Sequence, residues 1–149
     1  MRIYADTSFL VELLCRGAMH HASARQFFLA QGEAEWITTE WTLFETANAL
    51  RQLCLQSPGL KPEQAEALRR LFKRWHTHGN FIQDTPRADQ AIREAMQMSV
   101  AHATKLRMRS ADVLHVACLE QIDHDLFVTR DKEQHALAVA RAFKSHLLP

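Results

Sequence analysis

Four acidic residues of this sequence stand where a carboxylate can do chemistry instead of only facing solvent. Asp6 and Asp131 each come directly after a short apolar run. Asp112 lies in the first turn of a predicted helix, and Glu45 lies in the second turn of another. Oxygen ligands with open positions suit Mg²⁺ or Mn²⁺. Two such ions ~4 Å apart can activate a water and stabilise the leaving oxygen of a phosphodiester.

Each of these carboxylates also has an ordinary structural explanation. Asp112 can be a favourable first-turn charge, Asp131 a helix N-cap, and Glu45 a solvated residue. Asp6 is harder to explain in this way, because a carboxylate that ends a buried strand is costly unless it is paired or ligated. Placed together without partners, the four would repel one another and have raised pKa values, so the pocket would require cations.

The elements that must position these residues are strands alternating with helices. Apolar runs predict strands at residues 3–5, 35–38, 80–83, 125–128 and 143–148. Helical spacing predicts helices at residues 9–14, 20–31, about 39–55, 63–76, about 86–103, 110–119 with Ser110 as N-cap, and through 137 and 140. This alternation predicts an α/β fold with a mainly parallel sheet. The carboxyl ends of parallel strands share one edge, so all four carboxylates can face one crevice.

Length and composition place the chain among ordinary globular proteins. With 149 residues, 47% of them hydrophobic and 23% charged, we expect one domain over residues 1–149 and no long disordered segment. The net charge of +1 neither favours nor excludes nucleic acid as a partner. The sequence has no run that could span a bilayer and no signal-peptide pattern, which predicts a cytoplasmic protein with no membrane partner.

Cysteine and histidine offer no competing metal site. Cys15, Cys54 and Cys118 lie far apart inside apolar helical patterns, which is typical of reduced core cysteines. The nine histidines show no spacing that matches a zinc signature.

Basic residues have two interpretations. Those of the 63–76 helix form a face that is either a solvated surface or a ridge that steers RNA or an acidic partner. A second set lies near the predicted pocket and could hold RNA phosphates: Lys105, Arg107, Arg109, Arg130 and Lys132.

The sequence resembles the PIN-domain ribonucleases, and in particular the VapC-like toxins of prokaryotic toxin-antitoxin pairs. Four motifs in the family's order carry the resemblance across nearly the whole chain: Asp6-Thr7-Ser8-x-Leu10-Val11, Leu43-Phe44-Glu45-x-Ala47-Asn48-Ala49-Leu50, Ser110-x-Asp112-x-x-His115-x-Ala117, and Phe127-Val128-Thr129-x-Asp131 with Ala138 beyond. Each motif alone is weak, but four in order are specific.

The resemblance implies a three-layer α/β/α sandwich around a five-stranded sheet, and a Mg²⁺- or Mn²⁺-dependent endoribonuclease that uses a metal-activated water. By it, Asp6 and Asp112 are the main ligands of one or two ions, Glu45 binds metal or its waters, and Asp131 completes the pocket. By the same resemblance, Thr7, Ser8 or Thr129 contacts these ligands without binding the metal. His115 either packs in the core or contacts a ligand in the same way.

The resemblance also implies partners: an antitoxin that covers the acidic pocket, often with an arginine, and a second copy in a homodimer. Exposed apolar residues around 41–55 and 63–75 are candidates for either contact. The RNA substrate, whether transfer, ribosomal or messenger, is not readable, although single-stranded loops are the expected targets.

Two alternatives remain at this stage. The first is an inactive PIN-like module that binds RNA or protein, against which stands the retention of all four acidic positions. The second is a haloacid-dehalogenase-like phosphate-transferring enzyme with Asp6 as covalent nucleophile. Such proteins usually have a second aspartate two residues on, where this chain has Ser8.

Overall fold

The computed structural model describes residues 1–102 and 107–149. Within them, five strands form one sheet in the order β3-β2-β1-β4-β5, and every neighbouring pair is parallel. The strands are β1 (Arg2–Ala5), β2 (Glu35–Thr39), β3 (Phe81–Asp84), β4 (Leu126–Thr129) and β5 (Ser145–Leu147). The predicted parallel α/β sheet is therefore confirmed.

Seven helices in the described residues cover both faces of the sheet: α1 (Thr7–Leu14), α2 (His21–Ala30), α3 (Glu40–Leu53), α4 (Pro62–Thr77), α5 (Ala88–His102), α6 (Ser110–Cys118) and α7 (Lys132–Ala140). Apolar residues of α1 to α4 pack on one face, and those of α5 to α7 pack on the other. The result is the three-layer arrangement that the resemblance implied.

Burial on both faces explains why the strands read as unbroken apolar runs. In β1, Ile3 and Ala5 point into the core under α1 to α4, whereas Tyr4 points into the core under α5 to α7. In β4 the same alternation places Phe127 and Val128 in opposite cores. A polar residue on these strands has no water to face, so it must find a partner inside the protein.

Side-chain caps fix where the helices near the sheet edge begin. The carboxylate of Asp6 accepts the Phe9 N–H and caps α1, and Thr39 caps α3. Ser110, predicted as an N-cap, is instead the first residue of α6. The reason is that Asp112 accepts the backbone N–H of Arg109, which makes Arg109 the cap position.

The strand order creates a crevice beside Asp6. From β1 the chain moves outward through β2 and β3, and it then returns to place β4 on the other side of β1. In an open parallel sheet, ligands bind beyond the carboxyl ends of the strands at such a switch point. None of the described helices is both long and apolar enough to cross a bilayer.

Candidate active site

Asp6 sits at the switch point and is completely buried. Its Oδ1 accepts hydrogen bonds from the Phe9 N–H and the Ser8 hydroxyl, each at 2.9 Å. Its Oδ2 accepts from the Ser8 and Thr129 hydroxyls, also at 2.9 Å. Asp6 is thus held by neutral donors that come from α1 and from the end of β4.

Thr129 links Asp6 to the second strand-end carboxylate, Asp131. The backbone N–H of Asp131 donates to Thr129 Oγ1 at 2.9 Å. The carboxylate of Asp131 accepts the N–H groups of Glu133 and Gln134 at 2.8 and 2.9 Å, and so caps α7. The N-cap interpretation of Asp131 is therefore correct. This cap uses Oδ1 and fixes the carboxylate at the crevice.

Asp112 reaches the same edge from the start of α6. Its Oδ2 accepts the Arg109 N–H at 2.9 Å, while its Oδ1 accepts from the side-chain amide of Gln134 at 3.2 Å. Gln134 is buried and also bonds to Asp131 through its backbone. One glutamine therefore connects two of the predicted site carboxylates.

Glu45 lies on α3 and contacts α1 through Thr7 and α6 through His115. Its Oε2 accepts the Thr7 hydroxyl at 3.1 Å and lies 2.5 Å from His115 Nε2. His115 lies on α6, three residues after Asp112, and is completely buried. The structure thus places His115 directly behind a predicted ligand instead of in apolar packing alone.

The charges of the site are shaped by burial and by His115. Burial raises the pKa of the Asp6 carboxyl, and the His115 charge, the Phe9 N–H and the two hydroxyls only partly oppose it. Burial also acts to raise the pKa of Glu45, but the hydrogen bond and charge of His115 and the Thr7 hydroxyl outweigh it and leave that pKa below its ordinary value. The pKa of Asp6 is therefore raised as expected, but by burial and not by repulsion from other carboxylates. The expectation for unpaired carboxylates does not apply to Glu45, which is paired with His115.

The carboxylate oxygens of the site are of the type that binds a hard divalent cation, but the described side chains do not surround a single metal position. Among residues 1–102 and 107–149, no ion pair involves Asp6, Asp112 or Asp131, so their charge has no neutralising cation. Oxygen donors of this kind suit Mg²⁺ or Mn²⁺. In the same residues, no three acidic, histidine or cysteine side chains converge closely enough to hold a metal.

The predicted RNA-contacting cations have different environments. Arg107 and Arg109 are exposed just before α6, and Lys132 is exposed at the start of α7. Arg130 instead forms an ion pair with the buried Glu12 of α1, with Nη1 3.2 Å from Oε1. Lys105 lies outside the described residues.

Sequence reasoning missed three site contacts. It did not place Gln134 against Asp112, Tyr4 against His115, or Arg130 against Glu12. A signal existed for Tyr4, because a tyrosine in a strand buried on both faces needs a partner for its hydroxyl. No local pattern marked Gln134 or Glu12, whose partners lie 22 and 118 positions away along the chain.

Comparison with known proteins identifies the family. Residues 3–140 match the PIN domain family. The chain belongs to that family, and the acidic site described above lies within the matched region. No protein with a curated description matches the sequence.

Solved structures of similar fold cover most of the chain. It is similar to VapC20 of Mycobacterium tuberculosis, a toxin that cleaves the sarcin-ricin loop, with 21% identity, TM-score 0.69, and coverage of 90% of this chain and 93% of that one. It is also similar to VapBC2 of Rickettsia felis bound to a promoter DNA fragment, with 13% identity, TM-score 0.68 and full coverage of both chains. A third similar structure is FitAcB of Neisseria gonorrhoeae, with 17% identity, TM-score 0.63, and coverage of 96% and 95%. At these identities the similarity establishes the fold.

Proposed function

We propose that this protein is a Mg²⁺- or Mn²⁺-dependent endoribonuclease and the toxin of a VapBC-type toxin-antitoxin pair. The observation that carries the proposal is that Asp6, Glu45, Asp112 and Asp131 all lie around the switch point at the carboxyl edge of the sheet, each fixed by hydrogen bonds. Hydrogen bonds through Thr129 and Gln134 link Asp6, Asp131 and Asp112. Glu45 is bonded to Thr7, the neighbour of Asp6, and to His115, which lies on the same helix as Asp112. Membership of the PIN family supports a nuclease activity.

Each residue has a distinct part in this proposal. When bound, one or two divalent ions would supply an activated water and stabilise charge on phosphate oxygens. Asp6 and Asp112 are the proposed main ligands, Glu45 holds the metal or its waters, and Asp131 completes the anionic pocket. Ser8 and Thr129 fix the Asp6 carboxylate with their hydroxyl groups, and the arrangement contains no histidine that must act as a base.

Exposed arginines beside the pocket are proposed to hold the RNA backbone. Arg107 and Arg109 are exposed just before α6, close in sequence to Asp112. Such contacts position a substrate without reading its sequence. Arg130 contributes less to RNA binding in this proposal, because its guanidinium is paired with Glu12.

The antitoxin is proposed to bind a groove next to the acidic pocket. The groove has a volume of about 870 Å³, runs between α1 and α4, and has Arg130 and Glu12 in its wall. The backbone N–H of Arg130 donates to Ser8 Oγ, so the groove wall is one residue away from the Asp6 hydrogen-bond network. A protein segment lying in this groove could extend over the pocket. The similarity to a VapBC2 structure supports such a partner.

The proposed homodimer would use α5 and the start of α3. Ile92, Met96 and Val100 recur every four residues along α5 and are 52%, 64% and 83% exposed. Phe44 on α3 is 62% exposed. Exposed apolar stripes of this kind mark contact surfaces. By contrast, the apolar residues of α4 that were candidates for this contact pack against the core.

The test is cleavage of total RNA by purified, antitoxin-free protein with Mg²⁺ or Mn²⁺, next to an EDTA control. Asp6→Ala should abolish cleavage while circular dichroism shows a folded protein. Asp123→Ala, at the opposite end of the sheet, is the matched acidic control and should cut like the wild type. Discrete metal-dependent products that Asp6→Ala lacks support the proposal, and the sequences of their ends identify the target.

The second candidate function is a PIN-like module that binds RNA or protein without cutting. It is favoured by the observation that no three described acidic, histidine or cysteine side chains converge on one point. The same experiment separates the two functions. Folded, metal-loaded wild-type protein that leaves every RNA intact would establish the binding module.

A further inference from the structure

A chain of buried hydrogen bonds runs from β1 through α6 to Glu45 on α3. His115 Nδ1 lies 2.8 Å from the Tyr4 hydroxyl, and His115 Nε2 lies 2.5 Å from Glu45 Oε2. Tyr4 and His115 are completely buried. The hydrolytic scheme above assigns neither side chain a task, yet both are committed to one carboxylate at the site.

The chemistry of the partners sets the direction of these hydrogen bonds. An ionised carboxylate only accepts, so His115 Nε2 carries a proton and donates to Glu45. Burial raises the pKa of Tyr4, which therefore keeps its hydroxyl proton and can donate to His115 Nδ1. The Thr42 hydroxyl, 3.1 Å from the Tyr4 oxygen, is a further hydrogen-bond partner of Tyr4. With Tyr4 at Nδ1 and Glu45 at Nε2, both ring nitrogens of His115 have a partner, and the orientation of the ring is fixed.

Only one oxygen of Glu45 is used by this chain. Oε2 receives both His115 and Thr7, while Oε1 receives no hydrogen bond from the described residues. The Glu45 side chain is 21% exposed although His115 is not exposed at all. Oε2 is thus anchored inside the protein, and Oε1 has no partner in residues 1–102 and 107–149 that would keep it from binding at the site.

A purely structural role explains this arrangement less well. Burying a histidine, a tyrosine hydroxyl and a threonine costs free energy unless every polar atom is paired. Apolar side chains would fill the same space between β1 and α6 without that requirement. What apolar side chains could not do is hold the carboxylate of Glu45 in one orientation.

We propose that Tyr4 and His115 are positioning residues, which hold Glu45 by Oε2 so that Oε1 faces the divalent cation of the site. This inference rests on the proposed metal-dependent function. Partners of this kind, one step behind a metal-binding carboxylate, typically change metal affinity 10- to 100-fold when they are removed. Tyr4 acts through His115, and His115 acts through Glu45.

The experiment measures Mn²⁺ affinity by isothermal titration calorimetry in four variants of the full chain. His115→Leu removes the donor to Glu45 and should weaken binding roughly 10-fold. His115→Gln keeps an N–H near the Nε2 position and should recover most of that loss. Tyr4→Phe removes a single oxygen, keeps the protein folded if the leucine variant unfolds, and should weaken binding by a smaller factor.

His76→Leu is the matched control. His76 is partly buried and, like His115, has a hydrogen-bond partner at each ring nitrogen: Thr38 Oγ1 at 2.8 Å and the Phe72 carbonyl at 3.0 Å. It lies on the other face of the sheet and should bind Mn²⁺ like the wild type. Unchanged affinity in folded Tyr4→Phe and His115→Leu, or equal loss in His76→Leu, would overturn the inference.

A second readout needs no metal. Nitrogen-15 NMR of metal-free protein should show His115 protonated at Nε2, with this signal changed in Tyr4→Phe. Protonation at Nδ1 alone would overturn the hydrogen-bond chain whatever the metal data are. Failure of the wild type to bind Mn²⁺ is a separate result, which overturns the proposed function and does not involve these variants.

Discussion

Acidic residues lie at both ends of strand β1, but only those at the amino end form ion pairs among the described residues. At the amino end, Arg2 pairs through its guanidinium with Asp123 at 2.7 Å and Glu35 at 3.3 Å. Its backbone N–H donates to Asp125 at 2.7 Å. Asp123 and Glu35 thus have a cation within reach, and all three acids are exposed to water.

At the carboxyl end, Asp6, Asp112 and Asp131 are held by hydroxyl and amide groups that carry no charge. Neutral donors fix the orientation of a carboxylate without pairing its charge, and no ion pair to these three residues occurs in the described part of the chain. The ion pairs at the amino end serve the fold, whereas in the proposed function the negative charge at the carboxyl end serves to bind metal. The predictions below test this contrast.

The largest expected effect is on cleavage. Asp112→Asn keeps an oxygen that can accept the Arg109 N–H, so α6 should still begin correctly, but the charge is lost. We expect RNA cleavage to fall by more than about 100-fold, beyond the usual effect of a supporting partner. Asp123→Asn removes the same charge from the amino end and should cleave like the wild type. Equal cleavage by the two variants would show that the two ends of β1 do not differ in their importance for activity.

Metal should stabilise the fold through the carboxyl end only. Mn²⁺ at 100 times its dissociation constant should add about 2.7 kcal/mol to the free energy of unfolding, because a ligand that binds only the folded state stabilises it by mass action. Thermal melts with Mn²⁺ and then with excess EDTA measure this. The shift should persist in Asp123→Asn and be lost in Asp112→Asn, and a shift of the same size in both variants would place the metal elsewhere.

Without metal, the buried Asp6 should make the protein less stable as pH rises. Because its folded pKa is raised, folded protein holds the proton more tightly, and stability falls as pH increases from the unfolded pKa through the folded one. Asp6→Asn retains an oxygen for the Phe9 N–H and removes this cost. We expect a gain of about 0.5–2 kcal/mol at pH 8 in EDTA.

Urea denaturation of wild type and Asp6→Asn, from about pH 4, near the ordinary carboxyl pKa, up to about pH 8, checks this prediction. The two curves should converge at the acidic end. A variant that is less stable at pH 8, with the slope against pH unchanged, would show that Asp6 is not an uncompensated charge.

The smallest expected effect is at the amino end. Arg2→Gln removes ion pairs whose acidic partners are exposed to water. Such pairs contribute less than about 1 kcal/mol, and salt screens them. Urea denaturation at low salt should show a small loss that disappears at roughly 1 M salt. A large loss that salt does not reduce would mean that the amino end depends on Arg2 for packing.

Much of the fold follows from local patterns in the sequence. The buried runs at Ile3 to Ala5 and Phe127 to Val128 predict central strands because only a strand covered on both faces is apolar at consecutive positions. Helix starts were less exact at Ser110, where the cap is set by Asp112 reaching back to Arg109. That choice depends on a side-chain hydrogen bond, which helical periodicity does not contain.

The sequence by itself determined the alternation of strands and helices, and it singled out the four acidic positions as candidate site residues, since both depend on residue type and spacing along the chain. Only the tertiary structure decided which side chains stand behind the carboxylates. Tyr4 meets His115 across 111 positions, and Gln134 meets Asp112 across 22. These contacts exist because β1 and β4 lie side by side in the sheet, with α6 and α7 packed on the same face. Strand order, a property of the whole chain, therefore decided which hydrogen-bond partners surround these carboxylates.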